Sequence, residues 1–127
     1  MYKIEIVDAE KPIVSLKWSG VVDKKEALDV IPDIKAAANK VGKKFYFLVD
    51  VSEIKLNKAV EEFAEHQKAT LPYMLKVLVV VDSSITKLQV RQMAKASGND
   101  KEVFFKTYEE AVAYGKAQPT INVPFDK

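Results

Sequence analysis

The sequence predicts a single α/β domain of five strands and four helices in the order β-β-α-β-α-β-α-β-α. Its 127 residues are the size of one ordinary domain and too few for two well-buried ones. Two continuous apolar runs, at residues 45–49 and 77–81, are typical of strands that are covered on both faces. Segments with helical spacing of apolar residues follow each run, as in an alternating α/β chain.

The first two strands are predicted from alternation. Tyr2, Ile4 and Ile6 alternate with other side chains, and a second strand begins at Ile13 and carries Trp18. A short polar break at residues 8–12 separates them and favours an antiparallel hairpin. Gly20 is predicted to end the second strand.

The helix boundaries are predicted from capping residues. Asp23 and Glu26 form a capping-box pattern before a helix that Gly42 would end. Pro32 lies inside that segment, so it either kinks the helix or begins a second one. The apolar stripe of this helix is predicted to comprise Ala27, Leu28, Ile31, Ile34, Ala38 and Val41.

Three more helices are predicted from apolar spacing and capping residues. One has apolar spacing from Val60 to Leu71, and another is capped by Ser83 or Ser84 and ended by Gly98. The last helix opens at Thr107, after a short strand at residues 103–105. The domain is predicted to span residues 1–117. Residues 118–127 form an extended tail that becomes ordered only in a groove or against a partner chain.

Composition excludes several classes of protein. With 48% hydrophobic and 30% charged residues, the chain is neither disordered nor an integral membrane protein. It has no cysteine and one histidine, so we expect no disulfide, no thiol catalysis and no metal site. The net charge is only +2, and Arg91 is the single arginine, which disfavours nucleic-acid binding. No apolar run is long enough to span a membrane and no signal peptide opens the chain, so a cytoplasmic protein is expected.

The chain resembles the STAS fold, and within it the SpoIIAA-like family of small bacterial proteins. The resemblance covers residues 2–117. It rests on a hairpin that ends in Trp18-Ser19-Gly20, the Pro32-interrupted helix, strands that run into Asp50 and Asp82, and the final strand and helix around Phe104-Phe105 and Tyr108-Glu109-Glu110-Ala111. The resemblance implies a mixed five-stranded sheet packed with four helices, and a binding or switching role.

One known feature of the STAS fold is absent. Anti-sigma-factor antagonists carry a phosphorylatable serine in an Asp-Ser-Ser-Gly-like loop, where this chain reads Leu56-Asn57-Lys58-Ala59-Val60. The acceptor hydroxyl and the glycine are both missing, so a phosphorylation switch is not implied. The SpoIIAA-like family has also been likened in fold to lipid-carrying CRAL-TRIO-type domains, which leaves a role in binding an apolar ligand open.

Two polar clusters follow strands. Asp82, Ser83 and Ser84 come after the second apolar run, where ligands settle in open α/β sheets, but a helix cap at Ser83 or Ser84 is the favoured interpretation. No glycine-rich phosphate loop is present. Asp50, Ser52 and Glu53 follow the first run and could act as acid and base only if burial shifted a pKa. Their simpler interpretation is a solvated loop, since the sequence indicates no burial there.

The favoured hypothesis is a non-enzymatic module, without cofactor or metal, that binds an apolar small molecule. The ligand-binding residues are predicted to be Phe63, His66, Leu71, Tyr73 and Met74, with His66 or Tyr73 donating one orienting hydrogen bond.

Two alternatives to this hypothesis remain. The chain could be a protein-interaction module or homodimer that uses Ile121, Val123 and Phe125 of the tail as an added strand or plug. It could also be a small hydrolase or isomerase that uses Asp50, Asp82 or His66, although no activated nucleophile is recognisable.

Overall fold

The alternating residues at the N-terminus form two antiparallel strands, β1 (Tyr2–Asp8) and β2 (Ile13–Val22). The computed structural model describes residues 1–8, 10–57, 59–119 and 123–125. In it Tyr2 lies opposite Trp18 and Ile6 lies opposite Val14. The predicted hairpin is therefore confirmed.

The rest of the described chain alternates helices and parallel strands. The sheet order is β1-β2-β3-β4-β5, and β2 to β5 are parallel neighbours. The predicted mixed sheet of five strands with four helices is confirmed. The elements after the hairpin are α1 (Lys24–Val41), β3 (Phe45–Asn57), α2 (Val60–Thr70), a 3₁₀ turn (Leu71–Tyr73), β4 (Met74–Val80), α3 (Ser84–Ser97), β5 (Glu102–Phe105) and α4 (Tyr108–Ala117).

Each face of the sheet carries its own apolar core. Successive residues of β4 serve both faces, because side chains alternate along a strand. Val77 and Val79 lie in the core beneath α1, α2 and α3, whereas Leu78 and Val80 lie in the core beneath α4. This double coverage explains why the run at residues 77–81 is continuously apolar.

Helix α1 begins and ends where the sequence predicts. Asp23 accepts a hydrogen bond from the backbone N–H of Glu26 (2.9 Å), and Gly42 ends the helix with a φ of 77°. Pro32 lies inside this single helix, so it does not begin a second segment. The predicted apolar stripe of this helix is partly wrong. Leu28 is 39% exposed, and Val30 is buried in the core instead. The face of α1 that meets the sheet is therefore rotated toward Val30.

Two strands extend beyond their predicted ends. Strand β2 continues past Gly20, whose φ is 72°, and its pairing with β3 shifts register directly after that glycine. A left-handed glycine at a bulge lets the strand bend and continue. Strand β3 likewise continues past Asp50 to Asn57, so Asp50, Ser52 and Glu53 lie in a strand and not in the predicted loop.

Helix α4 packs so closely on the sheet that one position of it has no room for a side chain. A Cβ atom at Gly115 would lie 3.0 Å from Cδ1 of Ile13 and 3.6 Å from Cδ1 of Leu78. Gly115→Val is therefore expected to lower the free energy of unfolding by about 2 kcal/mol through overpacking. Urea denaturation measures this, and an unchanged midpoint would contradict it. In an Ile13→Val background, which removes the nearest methyl group, the same substitution should cost less.

Candidate functional site

A partly open cavity lies between the sheet and the helices α2 and α3. Its volume is about 50 Å³. The walls are almost entirely apolar, and the strands contribute most of them. The apolar side chains that line it include Leu16, Trp18, Phe47, Val49, Val51, Ile54, Phe63, Leu71, Met74, Val77, Val79 and Val90.

Three half-buried polar side chains of the lining lie on α2 and α3. Gln67 of α2 and Thr86 and Gln89 of α3 line the cavity and are only half-buried. On the β5 side, Lys101 connects two residues that line the cavity. Its Nζ donates hydrogen bonds to the carbonyl oxygens of Met74 (3.0 Å) and Leu71 (3.4 Å).

The structure brings together four of the five residues that the sequence predicts as ligand-binding. Phe63, His66, Leu71 and Met74 all line the cavity. Tyr73 does not line it. Its ring instead packs edge-on against Phe125, with the ring centroids 5.1 Å apart.

Three buried polar atoms without a hydrogen-bond partner belong to side chains that line this cavity. They are Nε1 of Trp18, Nδ1 of His66 and Nδ2 of Asn99. Burying such an atom without a partner is costly, and most native proteins avoid it. Trp18 and Asn99 were not predicted as site residues, although a buried indole N–H usually needs an acceptor.

His66 is a neutral side chain in an apolar setting. It is 4% exposed and stacks on Phe63, with the ring centroids 5.7 Å apart. Burial lowers its pKa to about 4, although a hydrogen bond to the backbone of Ala27 opposes the shift. Because Nδ1 is unpartnered, Nε2 is the atom that donates to the Ala27 carbonyl. Among the described residues, the His66 ring thus has no hydrogen bond to a hydroxyl or carboxylate that it could activate, and the Thr70 hydroxyl donates to the His66 backbone carbonyl instead (2.9 Å).

Glu102 is the ionisable residue that sequence reasoning missed. It lines the cavity at the start of β5, and burial raises its pKa to about 7, against the opposing charge of Arg91. At neutral pH this carboxyl group is partly protonated. No local pattern in the sequence indicates that burial.

The two polar clusters that follow the apolar runs lie outside this cavity. Asp50 is buried, and its Oδ1 accepts hydrogen bonds from the backbone N (3.0 Å) and the hydroxyl (2.6 Å) of Ser52. Glu53 pairs with Lys17 at 3.4 Å. Ser83 caps α3 by accepting a hydrogen bond from the backbone N–H of Thr86 (3.4 Å).

The described part of the C-terminal tail lies against the domain itself. The carbonyl of Val123 accepts a hydrogen bond from the backbone N of Lys44 (2.8 Å). Phe125 packs against the core on the cavity side of the sheet as well as against Tyr73. Ile121, the third tail residue predicted to mediate an interaction, lies outside the described residues, as does Lys58 in the segment that replaces the phosphorylation loop.

Two kinds of feature are absent from the described part of the chain. It contains no group of three or more histidine, aspartate or glutamate side chains that could hold a metal ion. None of its helices combines the length and the apolar character that crossing a membrane requires.

Comparison of the structure with solved structures identifies its fold. A protein of the DUF3478 family from Shewanella loihica PV-4, described as having a SpoIIAA-like fold, matches with a TM-score of 0.70 at 13% identity over 89% of this chain and 92% of its own. The anti-sigma factor antagonist SpoIIAA in its unphosphorylated form matches with a TM-score of 0.68 at 13% identity, over 93% of this chain and 100% of its own. An anti-sigma factor antagonist from Mycobacterium paratuberculosis matches with a TM-score of 0.61 at 15% identity, over 91% and 95%.

Comparison at the level of sequence gives no match. No family model and no curated protein matches it, and identities of 13–15% establish a shared fold alone. The architecture that matches these structures has five strands in the order β1-β2-β3-β4-β5, with three helices on one face and one on the other. The chain therefore has the SpoIIAA-like fold of the STAS class.

Proposed function

We propose that this chain is a non-enzymatic binding module that takes up a small, largely apolar molecule in the cavity beneath α2 and α3. The observation that carries the proposal is the presence of three unpartnered buried polar atoms, on Trp18, His66 and Asn99, around a single apolar cavity. Ligand sites combine apolar walls with a few polar groups in this way. A purely structural core would have no reason to leave these atoms without partners.

The size of the cavity limits the ligand. A volume of about 50 Å³ is well below the roughly 150 Å³ of an apolar cavity that holds benzene. The ligand is therefore a molecule of only a few non-hydrogen atoms, unless α2 and α3 move apart. A long lipid chain requires such a movement.

Binding without catalysis is favoured by the chemistry of the polar groups. The single histidine makes its one hydrogen bond to a backbone carbonyl, and the Asp50 carboxylate is already occupied by Ser52. Neither activates a nucleophile, which acyl or phosphoryl transfer would need. This supports the binding role over the hydrolase or isomerase alternative.

Native mass spectrometry of gently purified, untagged protein tests the proposal. We expect an adduct of small mass on the wild-type chain. Val90→Leu, which adds a methylene group at the cavity wall, should reduce the adduct. Val112→Leu is the matched control, because Val112 of α4 packs on the core of the opposite face. A bare wild-type chain, or equal adducts on all three proteins, would count against the proposal.

A second candidate is a protein-interaction module, and the likeness in fold to anti-sigma factor antagonists favours it. The partner surface would include the tail residues Ile121, Val123 and Phe125. Because Val123 and Phe125 contact Lys44 and Tyr73 of the same chain, they would have to be released to bind elsewhere. Deleting residues 118–127 should then change the mass of the assembly in light scattering, and an unchanged mass and melting temperature would argue against this role.

A further inference from the structure

Two of the unpartnered atoms have opposite hydrogen-bonding character. The indole Nε1–H of Trp18 can only donate a hydrogen bond. Nδ1 of His66 can only accept one, because the ring is neutral and carries its proton on Nε2, which donates to the Ala27 carbonyl. Two side chains of the cavity lining therefore carry one free donor and one free acceptor.

The two rings share one neighbouring side chain. Both contact Phe63: the Trp18 ring packs edge-on with centroids 5.1 Å apart, and the His66 ring stacks at 5.7 Å. Trp18 is fully buried and His66 is 4% exposed. The donor and the acceptor are thus on two buried side chains that both contact Phe63.

The combination of a free donor on Trp18 and a free acceptor on His66 restricts the polar group that a ligand can carry. A carboxylate could accept from Trp18 but could not donate to His66, and no cationic side chain lines the cavity to offset its burial. An ammonium group could donate to His66 but could not accept from Trp18. A neutral hydroxyl group does both, and the apolar walls suit a short hydrocarbon attached to it.

We infer that the cavity recognises a small neutral alcohol whose hydroxyl oxygen accepts a hydrogen bond from Nε1 of Trp18 while its proton is donated to Nδ1 of His66. This inference rests on the proposed small-molecule binding and adds the class of ligand. The hydrocarbon part lies against Phe47, Val77 and Val79. Water is the competing occupant, since it can make the same two hydrogen bonds.

The composition of the chain makes the test direct. Trp18 is the only tryptophan and His66 the only histidine, so the indole Nε1–H and the imidazole nitrogens each give one identifiable NMR signal. The probes are ethanol and its isomer dimethyl ether, whose three non-hydrogen atoms suit a cavity of about 50 Å³. The ether can accept from Trp18 but has no proton to donate to His66.

We expect ethanol to shift the Trp18 indole signal and the His66 Nδ1 signal saturably. Dimethyl ether should bind about five- to tenfold more weakly, the contribution of roughly one hydrogen bond, and should leave the Nδ1 signal in place. Trp18→Phe removes the donor and should weaken ethanol binding by a similar factor, with His66 as the reporter. The comparison of the two probes needs no variant, so it remains decisive if Trp18→Phe does not fold.

Xenon separates failure of this inference from failure of the proposed function. If xenon shifts the Val79 methyl signals but the alcohol and the ether bind equally, the cavity binds apolar molecules and the hydroxyl assignment is wrong. If ethanol produces no saturable shift while xenon enters, only buried water forms hydrogen bonds with the two polar atoms, which also overturns the inference. If xenon does not enter either, the small-molecule function itself is contradicted.

Discussion

Replacing Phe63 with alanine is expected to lower the free energy of unfolding by about 3–4 kcal/mol, the usual cost of removing a buried aromatic ring. Phe63 is 7% exposed and connects the helix α2 to the sheet. Its ring contacts both Trp18 and His66. The substitution removes these contacts and enlarges the cavity that Phe63 lines, so both the transfer and the cavity contributions apply. Urea denaturation followed by the fluorescence of Trp18 measures the change.

A matched variant and a ligand distinguish the enlarged cavity from general damage. Phe63→Leu keeps an apolar side chain of intermediate size and should cost clearly less than alanine. The alanine variant should also bind benzene, which raises its melting temperature but leaves that of the wild type unchanged, because the wild-type cavity is too small. A loss below 1 kcal/mol, or equal effects of benzene on both proteins, would show that Phe63 does not close the cavity.

The order of the elements could be predicted because periodicity and capping are local properties. Asp23 and Gly42 mark the ends of α1 as predicted. The end of β3 could not be predicted in the same way. Pairing with β4 stops at Asp50, opposite Val80, whereas pairing with β2 continues to Asn57. The apolar run therefore marks the part of β3 that pairs with both β2 and β4, and it does not mark the end of the strand.

The cavity was only partly predictable for a similar reason. Phe63 and His66 lie on one face of α2, and helical spacing indicates that much. Trp18 and Glu102 belong to strands at positions three apart in the sheet order. Their meeting at one cavity depends on that order, which the sequence did not predict. Whether a buried atom finds a partner depends on these long-range contacts and has no local signature.

Acidification is expected to reduce the contribution of His66 to the free energy of unfolding, and the sign follows from its pKa. Burial lowers that pKa from 6.5 to about 4 in the folded state. As the pH falls below 6.5, the unfolded chain binds a proton at His66 and the folded chain does not, so the free energy of unfolding decreases until about pH 4. A difference of this size corresponds to about 3 kcal/mol. His66→Gln, whose amide can still donate to the Ala27 carbonyl, should lack this dependence.

Glu102 masks the effect in the wild-type chain, which determines the design of the experiment. Burial raises its pKa from 4.5 to about 7, so between these values the folded state holds a proton that the unfolded state has released. Its contribution to stability therefore falls as the pH rises, opposite to that of His66. We expect a nearly flat profile for the wild type between pH 4.5 and 6.5. The Glu102→Gln variant should lose stability steadily as the pH falls below 6.5, whereas adding His66→Gln should remove that slope. Other carboxylates titrate equally in both variants, so parallel urea-denaturation profiles for the two would mean that His66 is not held neutral by burial.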